Sequence, residues 1–244
     1  MTTTTSISFA RVGLPALVTA MALAFAGSAS AASMSEGFDA GIPGSWTIVN
    51  HSAPVGTTTW FQGSPLAFNS QAGATNSYAA ANFNNTTGAG DISNWLITPT
   101  MSFMNGDNVS FWTRTSTGQA YPDRLELRFS ATGGTNVGVT ATDVGSFTSL
   151  LLTVNPTLAG GGPPVGYPDV WTKYSATMSG LSGATNGAVA FRYFVTDGGP
   201  AGNNSDYIGV DTFAITAAVP EPTTYALMGL GLAALALRRK QKQA

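Results

Sequence analysis

The chain has no cysteine and a single histidine, His51. A cysteine nucleophile, a zinc–thiolate site and any disulfide framework are therefore excluded, and a fold built this way must rest on its core and on any metal it binds. The His-Glu-x-x-His motif and the Gly-x-Ser-x-Gly elbow are also missing. His51 follows Asn50 just after a strand-like run and reads as a loop or rim residue, not a lone general base. Asp123 and Glu126 are the acidic pair to weigh as a glycosidase acid and base, but residues three apart on a strand point to opposite faces. The composition thus points away from an enzyme.

Charge is scarce too, at 9% of residues. Surface helices want Glu, Lys and Arg, so their shortage, with 29 glycines, favours turns and sheets. Over residues 33–218 there are five basic against eleven acidic side chains, a net charge of −6. No basic patch is present to neutralise phosphates, which argues against nucleic-acid binding.

What the sequence does have begins at its ends. Arg11 precedes the apolar run VGLPALVTAMALAFAG, and Ala29-Ser30-Ala31 offers the small-x-small pattern that signal peptidase cuts. Residues 1–31 are therefore expected to be a signal peptide. The other reading is a retained membrane helix, for which the run falls short of the roughly 20 residues a span needs.

At the other end, residues from Tyr225 to Leu237 are uncharged and apolar, and Arg238, Arg239, Lys240 and Lys242 follow. With its lead-in the run is long enough to cross a thin bilayer as a transmembrane helix, and positive charge stays on the cytoplasmic side, which leaves the body outside. Pro220 and Pro222 bar regular helix just before the span, leaving an extended stretch that a processing enzyme can grip.

Between these ends, 33–218 reads as one all-β domain. Alternating or aromatic runs recur: TWFQG, YAAANF, NWLITP, NVSFWTRT, RLELRFS, FTSLLLTV, WTKYSATM, AVAFRYFV and YIGVDTFAIT. Turn-forming clusters such as NNTTGAGD, ATGGTN and AGGGPPVGYPD separate them. Many short strands without a helical period predict a jelly-roll β-sandwich. In RLELRFS the alternation predicts Leu125, Leu127 and Phe129 on a buried face and the charges on the wet one, with Phe111, Phe191, Tyr193, Val195, Val210 and Ile215 sharing the core. The five tryptophans 46, 60, 95, 112 and 171 supply either core packing or a sugar-stacking platform.

Two resemblances add to this reading. The order Val219-Pro220-Glu221-Pro222, apolar run, Arg238-Arg239-Lys240 closely resembles the PEP-CTERM sorting signal of Gram-negative bacteria, covering 219–242. That resemblance implies transient anchoring in the inner membrane, cleavage at the motif by an exosortase, and a host that makes exopolysaccharide; a permanent tail anchor is the alternative. Glu36-Gly37-Phe38-Asp39, Ile42-Pro43, Ser45-Trp46, the segment 94–99, Val109-Ser110-Phe111-Trp112 and Asp206-Tyr207-Ile208-Gly209-Val210-Asp211 occur in the order seen in cleaved-adhesin or choice-of-anchor J domains. Those domains are similar to MAM and carbohydrate-binding jelly rolls.

This second resemblance implies, for some relatives, a structural calcium ion where the first strand meets the last. Asp39 and Asp211 match the acidic positions and Glu36 is a nearby candidate, while Thr212 stands where a second acid is common. Oxygen-rich residues suit calcium, and the 197–206 loop is a second place where oxygens converge; ordinary turn and cap hydrogen bonding is the other reading.

Three functions follow as expectations. The first is an exported, non-enzymatic envelope or matrix protein, processed by signal peptidase and exosortase and associated with exopolysaccharide. The second is a carbohydrate-binding adhesin in which Trp60, Phe61 or Tyr121 stack on sugar faces, which requires those rings to be exposed together. The third, a secreted hydrolase, needs converging titratable groups that the sequence scarcely supplies.

Overall fold

A computed structural model describes residues 33–218 and 229–232. The expected signal peptide, the Pro-Glu-Pro motif and the Arg238-Arg239-Lys240 cluster lie outside the described residues. Of the expected transmembrane helix only 229–232 are described, and they are helical. No helix among the described residues is long and apolar enough to cross a membrane.

Residues 33–218 form the expected β-sandwich of two antiparallel sheets. One sheet runs β11 (Thr172–Thr177), β8 (Asn108–Thr115), β13 (Tyr207–Thr216), β5 (Ala79–Asn82), β4 (Phe61–Gln62), with β1 (Met34–Glu36) also paired to β13. The other runs β10 (Ser149–Val154), β9 (Leu125–Ser130), β12 (Thr185–Gly198), β6 (Thr86–Ile97), β2 (Thr47–Asn50). Here β3 (Ala53–Val55) pairs with β6 and β7 (Met101–Phe103) with β12. All nine predicted runs contain strands, because alternating β-branched and aromatic side chains fit a pleated, half-buried surface.

Both inner faces meet in one core. Leu125, Leu127 and Phe129 are buried there with Phe111, Phe191, Tyr193, Val195, Val210 and Ile215, as the alternation predicts. Phe191 sets its edge against Phe111 at 4.8 Å and Phe213 at 5.6 Å, joining the sheets across the middle. Trp46 fills the flank, 5.6 Å from Phe38 and 5.2 Å from Phe213. Each such buried side chain contributes about 1.5–3 kcal/mol through apolar area removed from water.

Two expectations are corrected. NNTTGAGD is not a separator: a short 3-10 turn over Phe83–Asn85 leads straight into β6, which pairs with β3. Gly90 permits this, since a Cβ there would stand 2.4 Å from the Ala53 carbonyl oxygen.

The charges of RLELRFS are not all wet either. Glu126 is 6% exposed, its Oε2 lying 2.6 Å from Arg128 Nε and 3.2 Å from Nη1 of buried Arg192. The connection between β9 and β10 folds back over this outer face. Its Ala141 carbonyl accepts from Arg192 and its Phe147 packs 5.6 Å from Trp95. Burial pulls the Arg192 guanidinium down to about 10, against the neighbouring Glu126 charge.

Candidate functional sites

The acidic residues named from the sequence sit where β1 meets β13. Asp211 occupies a register shift in the pairing of β13 with β8, and Thr212 beside it takes a positive φ of 47°. That bulge turns the Asp211 carboxylate onto the 69–74 loop. Its Oδ2 accepts from the Gln71 amide at 2.8 Å and the Ala72 amide at 3.1 Å, and Oδ1 from the Thr212 amide. Burial raises the Asp211 carboxyl, while these amides pull it down. Glu36 is used locally, its Oε1 accepting from the Phe38 amide at 2.7 Å.

Asp39 is exposed and approaches Gly73, where a Cβ would lie 2.2 Å from its Oδ1 and 3.0 Å from Ser77 Oγ. Ser77 Oγ is buried without a hydrogen-bond partner, and so is Gln62 Oε1. The Gln62 amide nitrogen donates to the Phe38 carbonyl at 3.0 Å, which lays this side chain along the turn that follows β1. Among the described residues no three His, Cys, Asp or Glu side chains group closely enough to share a metal ion. Glu36, Asp39 and Asp211 therefore do not form one carboxylate cage, because Asp211 and Glu36 serve as backbone anchors.

The three aromatic candidates separate. Trp60 is 2% exposed, with its Nε1 donating to the Asn94 carbonyl at 3.1 Å, so it is core and offers no face to a sugar. Phe61 is half-buried against Tyr207, 5.9 Å between ring centroids. Phe61 opens β4, and Trp60 directly precedes it. Tyr121 is 50% exposed.

Tyr121 lines a cleft of about 140 Å³ with Phe83, Gly199, Pro200, Gly202, Ser205 and Asp206. Three connections build it: the turn entering β6, the β8–β9 loop and the β12–β13 loop. Hydrogen bonds lash them together, Ala201 to Gly88 at 3.0 Å, Ser205 to Pro122 at 2.8 Å and Phe83 to Asp206 at 2.9 Å. Asp197, one residue before the end of β12, and Ser205, two residues before β13, hold positive φ values of 50° and 74°. Ser205 Oγ accepts from the Gly199 amide at 2.8 Å, which fixes the loop from inside.

Beneath the cleft lies Asp123. Its Oδ1 accepts from the Asp206 amide at 2.8 Å and the Tyr193 hydroxyl at 2.5 Å, and its Oδ2 from Thr115 Oγ1 at 2.8 Å. Complete burial pushes this carboxyl up to about 6. Asp206, half-buried in the cleft wall, is also raised by desolvation. Sequence reasoning missed Phe83 and Asp206 as partners of Tyr121, since only the strand order brings positions so far apart together. Glu126 is engaged by two arginines rather than by Asp123's partners, so the two carboxylates share no site. His51, whose amide donates to the Ser93 carbonyl, does not line the cleft.

Comparison with known proteins places the chain. The PEP-CTERM protein-sorting motif matches residues 218–240, and the Cleaved Adhesin Domain matches residues 31–211. The K1 cleaved adhesin domain of Lys-gingipain from Porphyromonas gingivalis is 24% identical at a TM-score of 0.51, covering 76% of this chain and 98% of that one. The K3 domain of the same protein is 21% identical at 0.50, covering 75% and 98%, a likeness of fold. A search of the curated proteins finds no match. With the domain match spanning most of its length and a PEP-CTERM motif following directly, the chain belongs to the Cleaved Adhesin Domain family.

Proposed function

We propose that this exported adhesin-type protein is a non-catalytic component of the cell envelope or extracellular matrix. It is released from its C-terminal segment by an exosortase and held among exopolysaccharide. One observation carries the reading: every described strand of the sandwich lies ahead of the sorting motif. Strand β13 ends at Thr216, and the Ala218 amide donates to buried Asp107 Oδ1 at 2.9 Å. Removing everything beyond the Pro-Glu-Pro motif therefore takes away none of the described strands. Signal peptidase would cut near Ala32, ahead of every described strand.

Intact-mass analysis of envelope and supernatant fractions, from hosts with and without an exosortase, tests this. The expected species starts near Ala32 and loses the segment after Pro222 only when the exosortase is present. An unshortened tail in both hosts replaces this reading with a permanent anchor.

A calcium ion at the β1 turn is a second proposal, favoured by the two partnerless buried oxygens. Asp39 would supply the charge, with Gln62 Oε1 and Ser77 Oγ as neutral donors. Calcium is expected to raise the melting temperature of the protein and to have no such effect on Asp39→Ala. Equal melting of both with calcium and with chelator removes it.

A further inference from the structure

The cleft between Tyr121 and Asp206 has the features of a built site. Its rim is held by backbone hydrogen bonds from three connections, and Asp197 near the end of β12 and Ser205, both in the left-handed region, bracket the β12–β13 loop. Strain of that kind persists only where the surroundings enforce it, and it gathers at ligand-holding loops. Trp46, Trp60 and Trp95 are buried, whereas Tyr121 turns half its surface to solvent beside Phe83.

The polar side is equally specific. Buried carboxylates elsewhere are satisfied: Asp107 by the Met104 and Ala218 amides, Asp123 by Tyr193, Thr115 and Asp206, Glu126 by Arg128 and Arg192. Among the described residues no hydrogen bond reaches the Asp206 carboxylate, although it is half-buried. A desolvated acceptor of this kind lacks donors. No lysine or arginine lines the cleft, which disfavours an anionic ligand. Glycines and a proline form the remaining wall, so the interior is C–H rich with one strong acceptor.

We propose that this cleft binds a single neutral pyranose ring, with the C–H face of the sugar on Tyr121 and its hydroxyls donating to Asp206. A volume of about 140 Å³ is small beside the roughly 300–1,000 Å³ of sites for drug-sized ligands, so it takes one ring at a chain end or branch, not a run of sugars. The inference deepens the matrix reading by naming what the protein would hold there, and rests on it only for the presence of a polysaccharide nearby.

Saturation-transfer NMR on the full chain in a sugar-free detergent tests it, with methyl β-D-glucopyranoside, methyl β-D-galactopyranoside and methyl α-D-mannopyranoside as probes and glycerol and tetramethylammonium as controls. At least one glycoside is expected to show transfer at its ring C–H protons and no competition from tetramethylammonium. Tyr121→Ala and Asp206→Asn are each expected to weaken binding roughly fivefold or more, the loss that separates a contributing residue from a bystander, while Tyr121→Phe retains it. Tyr121 is exposed, so its variants keep the test open even where Asp206→Asn fails to fold. Silence from all three glycosides, unchanged binding by Tyr121→Ala, or displacement by tetramethylammonium overturns the proposal. Processing of the wild type, read by intact mass, separates the outcomes: correct trimming without glycoside binding removes the cleft proposal alone, and binding without trimming removes the sorting proposal alone.

Discussion

Tyr193 donates its hydroxyl to Asp123 Oδ1 at 2.5 Å, joining the second sheet to the loop beneath the Tyr121 cleft. On the other oxygen of the same carboxyl, Thr115 Oγ1 stands 2.8 Å from Oδ2 and 2.9 Å from the Tyr207 carbonyl. Thr115 has one hydroxyl proton for two acceptors. A proton on Asp123 resolves the shortage, because Oδ2–H then donates to Thr115, which donates to Tyr207. The bond geometry and the raised carboxyl thus point the same way.

Stability should therefore depend on pH through Asp123. The folded carboxyl keeps its proton up to about pH 6, against an ordinary value of 3.8 in the unfolded chain. Its contribution is fully present below the ordinary value and is lost as pH rises through about 6, a change of about 3 kcal/mol. Asp206 and Asp211 are raised by burial and push in the same direction. Urea unfolding across pH 4–7 should show Asp123→Asn gaining on the wild type by about that amount as pH rises; a constant difference between the two excludes a shifted Asp123.

Glu126→Ala should destabilise the protein by about 3–5 kcal/mol, because it leaves Arg192 buried without its carboxylate. The guanidinium would retain only the Ser93 hydroxyl, the Ala141 carbonyl and the faces of Trp95 and Phe194. Replacing Glu126 and Arg192 together by apolar residues of similar volume should recover most of the loss. Chemical denaturation of the three proteins decides it, and a mild cost for the single variant would mean that water reaches Arg192.

Trp60→Phe should cost about 1 kcal/mol, the worth of the hydrogen bond to the Asn94 carbonyl, with a further penalty for lost contact area. Sugar transfer at the Tyr121 cleft should be unchanged. A fall in glycoside binding at unaltered stability would return Trp60 to the ligand surface.

Most of the fold was legible in the sequence because nine alternating or aromatic runs each contain a strand. Strands β1, β2, β3 and β7 were not, since three or four residues are too short to display a period and their pairing comes from longer neighbours. The Glu126 environment was hidden for another reason: alternation reports two faces of a strand, and only the path of a long connection decides whether the second face is wet. At the cleft, Tyr121 was singled out by residue type alone. Asp206 looked like one turn acid among several, and nothing local distinguishes a carboxylate that lacks donors from one that has them.

Strand β13 links the two ends of the molecule that matter. Tyr207 begins it directly after Asp206 in the cleft wall, and Thr216 ends it two residues before Ala218, where the sorting motif starts. β1 pairs alongside its far end, Met34 opposite Ile215, so the chain enters and leaves at the same pole. Ten residues of strand at about 3.3 Å each put about 30 Å between that pole and the cleft. A sugar held in the cleft and an enzyme working at the sorting motif would therefore meet opposite ends of the domain and would not compete for one surface.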